Sequence, residues 1–110
     1  MSGSLPIVIV WEAVPSEELR DSKARGAAEE KIKRSFYAIT SHNDYTVTEL
    51  NQKWVVNNQA LRQLSGCNGQ LVSDWIKRHQ MAVEDHNGKH GLSQYHNKRH
   101  GKPITEVISW

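Results

Sequence analysis

Residues 60–78 most constrain the fold, because they predict two short helices joined by a sharp turn. Leu61 and Leu64 mark the buried side of the first helix. Gly66 tolerates the positive φ at which a helix ends, and Asn68 is a favourable N-cap for the next helix. The second helix has one apolar stripe directed towards the core, formed by Val72, Trp75 and Ile76.

The opposite side of this second helix carries short or hydrogen-bonding side chains. Groups of this kind pair with base edges in the major groove of DNA. A helix with one apolar and one hydrogen-bonding face is typical of a recognition helix. We therefore expect base contacts from Asn68, Gln70, Ser73, Asp74 and Lys77.

Gly66 and the run Val72-Ser73-Asp74-Trp75-Ile76 resemble the helix-turn-helix of phage regulators, transposases and recombinases. The resemblance covers residues 60–78 and implies a mostly α fold with a helix-turn-helix or winged-helix core that binds duplex DNA. The sequence departs from the pattern at Arg62, where the first helix usually has a small alanine. Either Ala60 takes that role in a shifted register, or the helices cross more loosely. An ordinary helical hairpin is the alternative interpretation.

The length and charge of the chain fit one domain with a basic side. After a flexible start at residues 1–4, residues 5–110 are expected to form a single DNA-binding-like domain, either alone or as a fragment of a larger protein. The net charge is only +2, but the stretch from Lys77 to Lys102 contains six basic and two acidic residues. We expect phosphate contacts from Arg78, Lys89, Lys98, Arg99 and Lys102.

Both ends of the chain carry short β-branched runs, which predict strands at residues 6–11 and 103–110. Because a lone strand leaves its backbone groups unpaired, we expect these two strands to pair. Between them, helical patterns predict a helix at about 16–41, weakened at Gly26, and a second at 47–56.

The basic segment after the recognition helix is expected to begin with a turn. The recognition helix is expected to continue to Glu84, and Asn87-Gly88 predicts a turn. Residues 87–91 and 97–101 echo each other, as Asn-Gly-Lys-His-Gly and Asn-Lys-Arg-His-Gly. The segment is either a wing beside the recognition helix or an irregular basic loop.

The histidines suggest chemistry that the rest of the sequence does not support. The pairs His86/His90 and His96/His100 have the spacing of metal ligands on a helix. The glycines around them disfavour a helix there, and therefore a metal site of this kind. His96 and Arg99 also match the His-x-x-Arg element of tyrosine recombinases, whose catalytic fold needs far more than 110 residues. We expect no catalytic residue, no metal ion and no cofactor.

These observations predict sequence-specific binding of double-stranded DNA, by a regulator or by an accessory domain of a transposase, recombinase or telomere resolvase. The alternatives are docking of a protein partner through exposed tryptophans, and RNA binding through the basic segment. The single Cys67 excludes an intrachain disulfide, and no stretch approaches the length of a membrane span. A cytoplasmic, nucleoid-associated protein is therefore expected.

Overall fold

The structure, a computed structural model, describes residues 10–110 apart from the side chain of Arg25. This part of the chain is mostly helical, and short helical turns connect its α-helices. The α-helices of the described chain are α1 (Ser16–Asp21), α2 (Arg25–Ser41), α3 (Asn58–Ser65), α4 (Gly69–Arg78) and α5 (Gln80–Lys89). Tighter turns cover Trp11–Ala13, Leu50–Gln52, His96–Arg99 and Ile104–Glu106, and a wider π-type turn covers His42–Thr46.

One hydrophobic core lies where α2, α3 and α4 meet. Phe36 of α2 packs against Trp75 of α4, with their ring centroids 5.4 Å apart. The last turn of the chain closes this core, since Ile104 and Ile108 are buried against it. The other main contributors are Ile32, Ile39, Trp54, Val56, Leu61, Leu64 and Val72.

The first described residues are held against α2 by two close contacts. Arg34 donates to the carbonyls of Trp11 and Val14 at 3.1 and 2.6 Å. A Cβ on Gly26 would lie 2.1 Å from Trp11 Nε1, so the indole sits where any other residue would place a side chain. The helix expected at 16–41 is interrupted at residues 22–24, between α1 and α2. Gly26 lies in the first turn of α2, where it admits the tryptophan.

The predicted pair of terminal strands is not found, and no strand occurs in residues 10–110. Residues 103–110 instead form a helical turn at Ile104–Glu106. Ile104 and Ile108 have helical i,i+4 spacing, and this places both in the core, where the turn packs against α3. Of the N-terminal run, residues 6–9 lie outside the described part, and Trp11 begins a helical turn.

The predicted helix at 47–56 is wrong, since only Leu50–Gln52 forms a turn and residues 53–57 are irregular. The recognition helix does not run on to Glu84, because α4 ends at Arg78 and His79 leaves the helical conformation. The predicted turn at Asn87-Gly88 is also wrong, because α5 continues through both residues to Lys89. None of the described helices combines the length and apolar composition that crossing a bilayer requires.

Candidate nucleic-acid interface

The turn between α3 and α4 has the predicted geometry. Gly66 has φ of 72°, and its N–H donates to the Arg62 carbonyl at 2.9 Å, which ends α3. Asn68 Oδ1 then accepts from Leu71 N–H at 2.9 Å and begins α4. The contact between the two helices runs through Asn58, whose Nδ2 donates to the Gly69 carbonyl at 3.1 Å, and through Arg62, which lies beside Gly69. Ala60 is buried in the core instead, so this geometry does not place it at the helix crossing in a shifted register.

The apolar face of α4 is also as predicted. Val72 and Trp75 are buried, and Ile76 is half-buried. His79 stacks on the Trp75 ring with centroids 4.1 Å apart, and thus covers the indole from the solvent side. Trp75 is therefore a packing residue, with His79 stacked on its ring and Phe36 tilted against it.

The outward face of α4 brings together most of the predicted base-contacting residues. Gln70, Asp74 and Lys77 are exposed along one stripe, and Asn68 is exposed at its start. Gln70 Nε2 donates to Asp74 Oδ1 at 3.0 Å, which holds the amide in one orientation on the surface.

Ser73 does not belong to this outward stripe. It is half-buried, and its Oγ accepts from Asn58 Nδ2 at 2.9 Å, so it ties α4 to α3. Asn68 is also partly committed, because its Oδ1 caps α4 and only its amide nitrogen is free for another contact. A base-reading surface on α4 would therefore be centred on Gln70, Asp74 and Lys77.

Arg62 is a candidate that the sequence interpretation missed. Its Cδ and Nη1 lie 3.6 Å from the position of a Cβ on Gly69, the first residue of α4. A cation beside the positive end of a helix dipole is unfavourable alone, and an anion between the two relieves it. The signal for it in the sequence is its spacing, since Arg62 lies four residues before the turn glycine.

The predicted phosphate-contacting residues divide into two groups. Arg78 forms an ion pair with Glu29 of α2, and Lys89 pairs with Asp44 at 3.0 Å. The remaining three, Lys98, Arg99 and Lys102, are exposed and form no ion pair within the described chain. Lys98 lies over the Tyr95 ring at 5.0 Å from its centroid.

The wing hypothesis is wrong in its hairpin form. Residues 80–89 are helical, Gly91 turns the chain with φ of 65°, and His96–Arg99 forms a short turn. None of the tryptophans in residues 10–110 is fully exposed, because Trp54 and Trp75 are buried and Trp11 and Trp110 are half-buried. Their burial does not favour the alternative in which exposed tryptophans dock a protein partner.

Three asparagines bind the backbone of three consecutive residues, and sequence reasoning missed this entirely. Asn43 accepts from the N–H of Trp54 at 2.9 Å and donates to its carbonyl at 2.7 Å. Asn97 makes the same two bonds with Val55, at 2.8 and 3.0 Å, and Asn87 with Val56, both at 2.9 Å. These side chains replace the partner strands that an extended segment usually needs.

Two histidines extend this arrangement, and we call residues 52–56 the clamped segment. His42 Nε2 lies 3.2 Å from the Gln52 carbonyl, and His100 Nε2 lies 2.8 Å from the Lys53 carbonyl. His100 also stacks on Trp54, with centroids 3.7 Å apart. The side chains that hold the clamped segment come from two places in the sequence. Asn87, Asn97 and His100 belong to the two Asn-x-x-His-Gly runs, and the others belong to the dipeptide His42-Asn43.

Asp44, His86 and His90 form the one group in the described chain that could hold a metal ion, with ligand atoms within 4.8 Å of one another. However, Asn43 Nδ2 donates to His86 Nε2 at 2.9 Å, which occupies a lone pair that a metal would need. Asn43 cannot turn its amide over, because both its ends bind Trp54. Lys89 also lies 3.0 Å from the carboxylate, so this donor set fits a hydrogen-bond network better than a cation.

The charges in this network follow from burial and pairing. Burial lowers the pKa of His86 below its ordinary 6.5, which keeps the ring neutral and able to accept from Asn43. The hydrogen bond from His90, at 2.6 Å, holds the pKa of Asp44 below its ordinary value.

Comparison with protein-family models, with curated proteins and with solved structures finds no match. The function must therefore be inferred from the arrangement of these residues.

Proposed function

We propose that the chain binds double-stranded DNA sequence-specifically, with α4 as the recognition helix. The supporting observation is the outward stripe of α4, where Gln70, Asp74 and Lys77 are exposed on the helix that follows the tight turn at Gly66. The stripe is held rigidly, because Trp75 on the opposite face is buried between α2 and His79. A preorganised row of hydrogen-bonding groups on one helix face is what major-groove recognition requires.

The charges around α4 support the same proposal. Arg62 lies at the N-terminus of α4, where its guanidinium and the helix dipole together favour a backbone phosphate. Lys77 is exposed on the helix itself. Phosphate contacts orient a protein on duplex DNA without reading sequence, so these cations would position the Gln70 amide at the base edges.

The proposal is tested with Gln70→Ala and a matched control, Gln80→Ala. Both glutamines are exposed and donate to a carboxylate four residues later, at 3.0 Å to Asp74 and 2.8 Å to Glu84. After selection of a preferred duplex, both variants are titrated on that duplex and on a scrambled one at one salt concentration. We expect Gln70→Ala to weaken specific binding by about 1–3 kcal/mol per lost base contact and to leave non-specific binding unchanged.

The control should bind both duplexes like the parent chain. Equal weakening of both duplexes by Gln70→Ala, or no weakening, would show that Gln70 does not read a base. Arg62→Gln should weaken binding to both duplexes alike. It should also reduce the salt dependence of the affinity, because a complex with one phosphate contact fewer releases fewer counterions. RNA of the same sequence serves as a competitor, and stronger binding to RNA would contradict the proposal.

A further inference from the structure

A cleft of about 180 Å³ lies between α3 and the segment 94–104. Its apolar wall is formed by Trp54, Ala60 and Ile104, all of them buried. The cleft is smaller than the ~300–1,000 Å³ of sites for drug-sized ligands, so it fits a single ring system better than a whole nucleotide. Its position at the flank of α3 separates it from the outward stripe of α4.

Three glutamines, Gln59, Gln63 and Gln94, line this cleft. No hydrogen bond joins these amides to another side chain of the described residues. An amide offers both a donor and an acceptor, as the Watson–Crick edge of a nucleobase does. An apolar wall with amides around it suits a flat, neutral, polar ring, whereas a phosphate would need charge and backbone N–H groups deep in the site.

Lys98 and Lys102 line the same cleft and remain exposed. Neither forms an ion pair within residues 10–110, and no acidic residue lines the cleft. A larger cleft beside α2 is lined by three glutamates and one lysine, namely Glu12, Glu29, Glu30 and Lys33. Of these two clefts, the one beside α3 therefore has the charge that suits a nucleic-acid backbone at its rim.

The wall of the cleft is fixed before any ligand binds. Asn57 caps α3 by accepting from Ala60 N–H at 2.8 Å, and its amide donates to the Gln94 carbonyl at 3.4 Å. Asn97 is held by both of its bonds to Val55. A cleft whose frame is already held by hydrogen bonds loses less conformational entropy on binding than one whose frame is mobile.

We propose that this cleft receives one unpaired nucleobase of DNA, while Lys98 and Lys102 contact the phosphates on either side of it. The inference rests on the proposed DNA binding and adds a second, base-accepting site to it. The chain would then prefer DNA in which a base is already out of the stack, because the cost of unstacking it is avoided.

The test uses the full chain and three labelled duplexes that share one sequence. The first is fully paired, the second contains one unpaired thymine, and the third has an abasic site in place of that thymine. We expect the thymine probe to bind at least about fivefold more tightly than the abasic probe, given typical energies of base contacts. Gln63→Leu and, independently, Gln94→Leu should bring this ratio close to one.

Gln52→Leu is the matched control, since Gln52 is exposed and lies outside the cleft, and it should retain the full ratio. Equal binding of the thymine and abasic probes would overturn the inference, because the lysines alone would explain it. If binding of the paired duplex depends on Gln70 as proposed, but the thymine and abasic probes bind equally, only the proposal of a base-accepting site is contradicted. If the thymine probe binds with the expected ratio and the paired duplex does not depend on Gln70, the proposed role of α4 fails instead. Absence of binding to all three probes would overturn both.

Discussion

The α3–α4 hairpin and the clamped segment are stabilised in opposite ways. In the hairpin, the defining hydrogen bonds join near neighbours, as when Asn68 caps the N–H of Leu71. In the clamped segment, the partners of Trp54 and Val55 lie 11 and 42 residues away. The hairpin therefore depends on local signals and one apolar face, whereas the clamped segment requires the rest of the fold to be in place.

The largest effect is expected where the hairpin meets the core, from Trp75→Ala. This change leaves a cavity between Phe36 and His79 and should lower the free energy of unfolding by about 3–5 kcal/mol. Urea denaturation followed by circular dichroism measures it. Met81→Ala, at a residue 78% exposed on the next helix, is the control and should change stability by no more than about 0.5 kcal/mol. An unchanged midpoint for Trp75→Ala would show that the indole does not support the hairpin.

The next largest effect tests the clamped segment. Asn87→Ala leaves the N–H and carbonyl of Val56 without their partners, and each unsatisfied buried group costs about 1–3 kcal/mol. We expect a loss of about 2–6 kcal/mol in the same denaturation experiment. Asn51→Ala changes an exposed asparagine and should be nearly neutral. If both variants are equally stable, the clamping bonds contribute little.

The difference between the two regions also explains what the sequence could predict. The hairpin was predicted in detail, including Gly66, Asn68 and the apolar stripe of α4, because each signal acts within a few residues. The clamped segment was predicted as a helix, since Leu50 and Trp54 have helical spacing. In the structure Leu50 is 48% exposed, and long-range bonds keep residues 53–57 out of a helix.

A signal for the clamped segment was present in the sequence, in three His-Asn dipeptides at 42–43, 86–87 and 96–97. Their common role depends on which backbone group each asparagine meets, and no local pattern contains that information. The candidate site shows the same division. The stripe on α4 follows from helical periodicity, whereas the cleft beside α3 depends on the path of residues 94–104. Ser73 was misplaced because its partner Asn58 belongs to the preceding helix.

Acid should lower the free energy of unfolding through His86, the hydrogen-bond partner of the clamping residue Asn43. Burial lowers the pKa of His86 in the folded state, so the unfolded chain binds a proton first as pH falls below about 6.5. Stability is therefore full above that pH and declines as pH falls from there to the lowered pKa of the folded state. Asp44 acts in a lower range, because its pKa is lowered by His90 and its contribution is lost only below its ordinary 3.8.

Unfolding free energies measured between pH 7 and pH 5 test this for the parent chain and for His86→Gln. The glutamine carbonyl can still accept from Asn43 but takes up no proton, so the variant should lose less stability over this range. Parallel pH profiles for the two proteins would show that His86 is not the group responsible. His42→Gln is the control, because it replaces a partly buried histidine and leaves His86 and its partner Asn43 in place.

The smallest expected effect separates a clamping residue from its neighbour. His96 is 4% exposed, and its Nε2 has no hydrogen-bond partner among the residues that the structure describes. A leucine of similar volume removes this unsatisfied group, so His96→Leu should be neutral or stabilising by at most about 1 kcal/mol. Asn97→Leu, one residue further, removes both bonds to Val55 and should cost several-fold more in the same experiment. A loss above about 2 kcal/mol for His96→Leu would mean that the imidazole does bind a partner, and that the clamped side depends on the histidine as well as the asparagine.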